Sequence, residues 1–357
     1  SMDEGDSWTQ FKNGFPSVST MDLEIQKPES ALIVGTFGRA IWVLDDLLSL
    51  REIAADRIKP GIRALPMNEA VQVKGLFINP PGNIWTGFHT TFEGENRVFQ
   101  KTKIPFYLSK EPDSGQVVTA SIFDARQKLI KTVETKQLVK GLNYMIWKLD
   151  EQAASFSKRK PGSDPRGIAV LPGDYTIELT YAGFKDVTKV KVVADPRFEL
   201  DQKIDEALYA FRKEVDVQVA ALAKQLHHID DKMAWLKRAD TLLIEKGVDT
   251  KDSTIVSVQG MIKQLKELRA KGQIPRPDRQ VGAWQSFETS PYSQVQDLRR
   301  IARAQTRLPS EQHQQMLERA RSSITDYTKL VDNFMKTNWP PLEATLKNNG
   351  FTKFNDQ

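Results

Sequence analysis

Leu32-Ile33-Val34-Gly35-Thr36-Phe37-Gly38-Arg39-Ala40-Ile41-Trp42-Val43-Leu44-Asp45-Asp46 is the most telling stretch of this chain. A nearly continuous apolar run over residues 31–36 meets the turn Phe37-Gly38-Arg39, and a second apolar run fills residues 40–44. Just upstream, Met21-Asp22-Leu23-Glu24-Ile25 alternates apolar and polar with period two, the pattern of a half-buried strand. Lys27-Pro28-Glu29-Ser30 between them is a turn. Residues 1–50 therefore predict an antiparallel meander. A few strands with apolar faces on both sides are marginal in isolation. The two glycines of Gly35-Thr36-Phe37-Gly38-Arg39 join two β runs, and no helix follows to cradle a phosphate.

Downstream, residues 51–72 read as a connector broken by Pro60, Gly61 and Pro66. Residues 73–196 are again β-rich, with strands expected at Lys103–Ser109, Gln116–Phe123, Leu129–Glu134, Leu142–Leu149, Gly173–Tyr181 and Lys185–Val193. Short strands at regular spacing with turn signals predict a β-sandwich with Trp147, Tyr175 and Phe123 as core aromatics. The stretch 151–170 is polar and reads as a loop. Pro196 ends the β region, and the apolar period then switches. Leu208, Phe211, Val215, Val219, Leu222, Leu226, Ile229, Met233 and Leu236 recur every three or four residues, one stripe of a long helix. A second helix carries Ile255, Val258, Ile262, Leu265 and Leu268 and stops at Gly272. Ser290 and Pro291 open a third helix, with Val295, Leu298 and Ile301 inward. Pro309-Ser310-Glu311 opens a fourth, with stripe Leu317, Ala320, Ile324, Tyr327, Val331 and Phe334, and Trp339-Pro340-Pro341 is expected to stop it. Residues 197–357 thus predict an antiparallel helical bundle. The expected fold class is multidomain β plus α, and the chain from near residue 70 onward is expected to fold by itself.

Ser1-Met2-Asp3-Glu4-Gly5-Asp6-Ser7-Trp8 fits Ser-x-Asp-x-Gly-x-Ser-Trp, the Asp-box turn between outer strands of β-propeller blades. Asp3 is suited to accept backbone N–H groups, Gly5 to adopt a positive φ, and Trp8 to bury its ring under the turn. The same residues also suit an ordinary polar turn. With this motif, residues 32–46 resemble the last blade of sortilin-like (Vps10-type) Asp-box, or BNR-repeat, propellers, where the segment reads Val-Gly-Thr-His-Gly-Arg-Gly-Ile-Trp-Val-Leu-Asp-Asp. Phe37 and Ala40 depart from that pattern, standing where the family has His and Gly. Leu171-Pro172-Gly173-Asp174-Tyr175-Thr176-Ile177-Glu178-Leu179 resembles a strand of the Ig-like domain that follows those propellers, and a helical region comes next there too. The resemblance implies a terminal β-propeller blade at 1–50, a connector at 51–72, an Ig-like β-sandwich at 73–196 and a helical bundle at 197–357. It further implies a bacterial protein that is secreted, periplasmic or on the cell surface, with more propeller upstream. The glycosyl hydrolase label common in this family reflects the Asp-box shared with sialidases, a fold element lying away from their active site.

The 357 residues carry 51 basic and 46 acidic side chains, and a net charge of +5 is too small a difference to indicate a nucleic-acid partner. Lys158-Arg159-Lys160 reads as a solvated loop. No apolar run suggests a membrane span. Zero cysteines exclude disulfides, thiolate metal sites and thiol nucleophiles. His89, His227, His228 and His313 form no ligand pattern, since neighbours on a helix point about 100° apart. No phosphate loop, dinucleotide fingerprint, nucleophile elbow or HExxH helix is present. No carboxylate pair suited to glycoside hydrolysis can be identified. The expectation is therefore no catalytic residues, no cofactor and no metal in this chain. Trp85, and Trp284 with Phe287, are the aromatics suited to a binding loop for protein or sugar, though the Trp284 loop suits folding back to cap the bundle better, and the Trp85 loop also suits packing against the propeller or sandwich. The expected function is a non-catalytic interaction and assembly region, with the remainder of its own propeller and a surface protein as partners, and a glycan as a further candidate. The alternative is an accessory part of a glycoside hydrolase whose active site lies upstream.

Overall fold

The computed structural model describes residues 1, 4–10, 15, 17–27, 30–44, 46–54, 60–72, 102–156, 166–196, 199, 201–274 and 289–348. The fold is of the β plus α class. The chain separates into two compact units, Ser1–Gln152 with Arg166–Asp201, and Ala153–Pro165 with Gln202–Gln357.

In the first unit, β1 (Thr20–Gln26), β2 (Ala31–Thr36) and β3 (Ile41–Leu44) form an antiparallel sheet in chain order. Gly38 and Ala40, with φ of +83° and +65°, turn β2 into β3. The helix α1 (Leu47–Ala54) follows directly. Asp46 caps it, accepting from the Ser49 N–H at 3.0 Å.

Two further sheets share one core. β5 (Ala70–Gln72), β7 (Val118–Phe123), β8 (Leu129–Thr135), β10 (Gly173–Tyr181) and β11 (Phe184–Ala194) make a mixed sheet of order β5-β11-β10-β7-β8. β4 (Ile62–Ala64), β6 (Thr102–Leu108) and β9 (Gly141–Trp147) make the other, of order β4-β6-β9. Alternation aims one face of each sheet inward: Val118, Ala120 and Ile122 with Ile177 and Leu179 from the first, Ile104, Phe106 and Leu108 with Met145 and Trp147 from the second. Positive φ at both Ala182 and Gly183 gives the two-residue hairpin between β10 and β11.

The stretch expected to be a connector is structured at both ends. It holds the second half of α1, and its short strands pair into both sheets: β4 with β6, and β5 in parallel with β11. A fragment starting near residue 70 would lose β4, whose Ile62 and Ala64 are in the core, so the boundary belongs before Gly61. The described residues of the polar stretch after β9 run as a loop, as expected, but the loop is tied down. Asp150 and Ala169 form a bridge, and Asp150 and Glu151 are buried. A polar sequence is buried here because its backbone finds partners: the Glu151 N–H donates to Ile168 O and the Val170 N–H to Leu149 O.

The second unit is built on α2 (Gln202–Glu245), α3 (Ser253–Gly272), α4 (Pro291–Ala304) and α5 (Glu311–Asn348). The α2 stripe is buried as its period requires, apart from Met233, which is partly buried. Asp252 caps α3, accepting from the Thr254 N–H, which holds its carboxyl below the usual carboxylate range. Ser290 and Ser293 cap α4 reciprocally. Trp339-Pro340-Pro341 does not stop α5, which runs on to Asn348. Two prolines cost the helix two N–H donors. The continuation instead buries Leu342 and Leu346, and Trp339 lies 5.6 Å from Trp235 with Lys232 over its ring. Tertiary packing outweighs the local break.

Candidate functional site

An apolar concavity lies on one face of β1–β3. Register sets it: Leu23 pairs with Val34, which pairs with Trp42, and Ile25 pairs with Leu32, which pairs with Leu44. Paired residues share a face, so two apolar rows cross the sheet. α1 adds Leu47, Leu50 and Ala54, and the walls enclose ≈ 690 Å³. The Phe15 ring meets Trp42 edge-on at 5.5 Å, and the Trp42 indole N–H donates to Arg39 O at 2.9 Å. Glu4 and Arg51 supply charge at the lining. The interior offers hydrocarbon rather than converging acids and bases, so its chemistry is burial of apolar surface. The sheet is also exposed beyond the concavity, with Met21 68 % and Ile41 70 % open to solvent.

The turn at residues 1–8 is partly described. Ser1 Oγ accepts from the Gly5 N–H at 2.7 Å, and Gly5 has a φ of +107°. The Trp8 indole N–H donates to Gly5 O at 3.1 Å. Its ring is 81 % exposed rather than tucked beneath the turn, because the hydrogen bond holds only its edge. Ser7 is exposed, and Asp3 lies outside the described residues. Trp85, Trp284 and Phe287 lie outside them too, as do His89 and Lys158-Arg159-Lys160.

His227 and His313 make hydrogen bonds to the backbone. His227 donates from Nε2 to Phe156 O at 2.9 Å, and His313 Nδ1 accepts from the Ser310 N–H at the start of α5. Among the described residues no group of three His, Cys, Asp or Glu side chains could hold a metal ion. Sequence patterning missed the α1 wall of the concavity, although Asp46 followed by Ser49 was a capping signal. It also missed a basic ridge on α4, where Arg299, Arg300 and Arg303 line a groove of ≈ 430 Å³. That ridge is largely committed: Arg299 approaches Asp216 at 3.7 Å and donates to Ala154 O at 3.1 Å, and Arg300 pairs with Asp297. Burial raises the Asp216 carboxyl despite Arg299 beside it. Burial likewise lowers the Arg212 guanidinium, which donates to Ala302 O and Gln305 O at the end of α4.

Among the described residues no helix is long and apolar enough to cross a membrane. No family model fits the chain, and no curated protein matches it in sequence.

Proposed function

We propose that this chain is a non-catalytic interaction and assembly region of a secreted or cell-envelope protein. On this reading β1–β3 is the terminal blade of an Asp-box propeller, the two-sheet body is an Ig-like spacer, and the helices form a bundle that docks a protein partner. The reading is supported by one observation above all: β1 is exposed along its whole length, yet carries Leu23 and Ile25 on one face. Leaving such side chains in water forgoes about 1.5–3 kcal/mol each. Contiguous apolar surface of this kind marks an interaction site. The remainder of the propeller is the expected occupant of that face.

The test is association in trans. The chain and the separately produced upstream part of its parent protein are mixed and followed by sedimentation velocity. A stoichiometric complex is expected, weakened at least tenfold by Leu23→Glu. Failure to associate would overturn the assembly reading, and glycan turnover by the upstream part would favour the hydrolase reading in its place.

A further inference from the structure

Lys131 and Asp150 are both fully buried, with Nζ 2.5 Å from Oδ1. Lysine is almost never fully buried unless paired, and a desolvated ion pair is weak evidence for stability. The surroundings are shaped for more than attraction. Lys131 pairs in register with Ile122 and so faces the core from β8, the edge strand of the five-stranded sheet. Asp150 follows β9 of the other sheet, so the contact joins the two layers. Leu149, just before Asp150, holds a φ of +51°, an uncommon value for a residue other than glycine. One backbone N–H holds the carboxyl itself, and three further hydrogen bonds hold the backbone of residues 150–152. The Gly167 N–H donates to Asp150 Oδ2 at 2.7 Å, and the Trp147 indole N–H donates to Asp150 O at 2.9 Å. The Glu151 N–H donates to Ile168 O, and the Gln152 N–H to Ile130 O beside Lys131.

We propose that Lys131 and Asp150 condense to an intramolecular isopeptide bond that covalently ties β8 to the segment after β9. The contact transfers one proton from the ammonium to Oδ1, leaving a neutral amine and a carboxylic acid. The Nζ lone pair attacks Cγ, and the developing negative charge falls on Oδ2, where the Gly167 N–H already points. A proton passes from nitrogen to the Oδ1 hydroxyl, the Cγ–Oδ1 bond breaks, and water leaves. Ammonium plus carboxylate becomes amide plus water, with no oxidant, reductant or co-reactant. Proximity supplies the drive, because a buried, pre-aligned pair reacts at an effective concentration far above any in solution. The bond would do for this cysteine-free chain what a disulfide does elsewhere, closing a loop in the unfolded state. The inference stands independently of the assembly reading.

Intact mass spectrometry of the full chain under denaturing conditions tests it. The expected mass is that of the sequence less one water, and unchanged from sequence in Lys131→Met and Asp150→Ala. Trypsin should fail to cut after Lys131 and yield a branched peptide joining residues 129–136 to residues 149–158. The wild-type reading needs no variant to fold. A mass equal to the sequence, with residues 129–131 and 149–158 recovered as separate peptides, overturns the proposal. So does a water loss that maps to any other peptide.

Discussion

Replacing Gly272 with alanine should destabilise the helical unit, against the usual sign of that substitution in a helix. A Cβ built on Gly272, the last residue of α3, falls 2.3 Å from Tyr327 Cζ and 2.5 Å from its hydroxyl. Tyr327 cannot swing away cheaply. It is 4 % exposed, and its hydroxyl donates to Leu268 O at 3.2 Å. Gly→Ala normally gains at most about 0.5–1 kcal/mol within a helix. Overpacking a filled site costs about 1–3 kcal/mol. Displacing the phenol from its carbonyl costs about 1 kcal/mol more. The expected net is a loss of about 1–3 kcal/mol on those figures. Gly260, on the exposed side of the same helix with nothing within 4 Å of its added Cβ, is the internal control. Urea unfolding followed by far-UV circular dichroism reports chiefly on α2–α5. Gly260→Ala should raise the midpoint and Gly272→Ala should lower it. Tyr327→Leu combined with Gly272→Ala should be less damaging than the two single losses added, because the overlap is then gone. If Gly272→Ala stabilised the protein as Gly260→Ala does, the α3–α5 packing described here would be refuted.

Two other outcomes follow from single residues. The Tyr175 phenol is pushed up to about 12 by burial, with Glu151 and Asp124 adding repulsion. Its folded value lies above the unfolded one, so its contribution is fully present below pH 10.0 and lost as the pH rises toward about 12. A tyrosinate absorbance titration should show a late-ionising tyrosine that disappears in Tyr175→Phe, and an unchanged profile would contradict the buried setting. Leu346→Ala should cost the helical unit about 2–5 kcal/mol. A loss near zero in urea unfolding would show that α5 does not pack beyond its prolines.

The α2 stripe was legible because burial on one side forces apolar residues into steps of three and four. Ser290 and Pro291 were legible for a local reason, since cap and first-turn chemistry act within one turn. β10, Gly173–Tyr181, was found to the residue because its alternation is unbroken and its hairpin is tight. What stayed hidden is decided at long range. β4 and β5 are three residues each, too short to show a period, and exist only because β6 and β11 offer edges. Pro340-Pro341 carries a strong local stop that the burial of Leu342 and Leu346 overrides. Of the candidate site, Leu23, Ile25 and Trp42 lie in recognisable strands, but the α1 wall depends on how the chain leaves β3. Lys131 gave no signal, because a lysine in an alternating strand looks solvent-facing until its partner is known.

The path of the chain between its two units has a bearing on inheritance. Ala153–Pro165 belongs with the helices, although Arg166–Asp201 returns to the sheets. Within the helical unit, Phe156 meets Tyr292 edge-on at 4.9 Å and Ala154 packs against the same core. Residues 202–357 therefore do not form a cassette that a single recombination event could move intact. A transplanted copy would arrive without Ala154 and Phe156, and with His227 and Arg299 deprived of the carbonyls they now hold. The helices and the sheets are bound to travel through evolution together, and on the ribosome the early-made Phe156 must wait for Tyr292 to be synthesised.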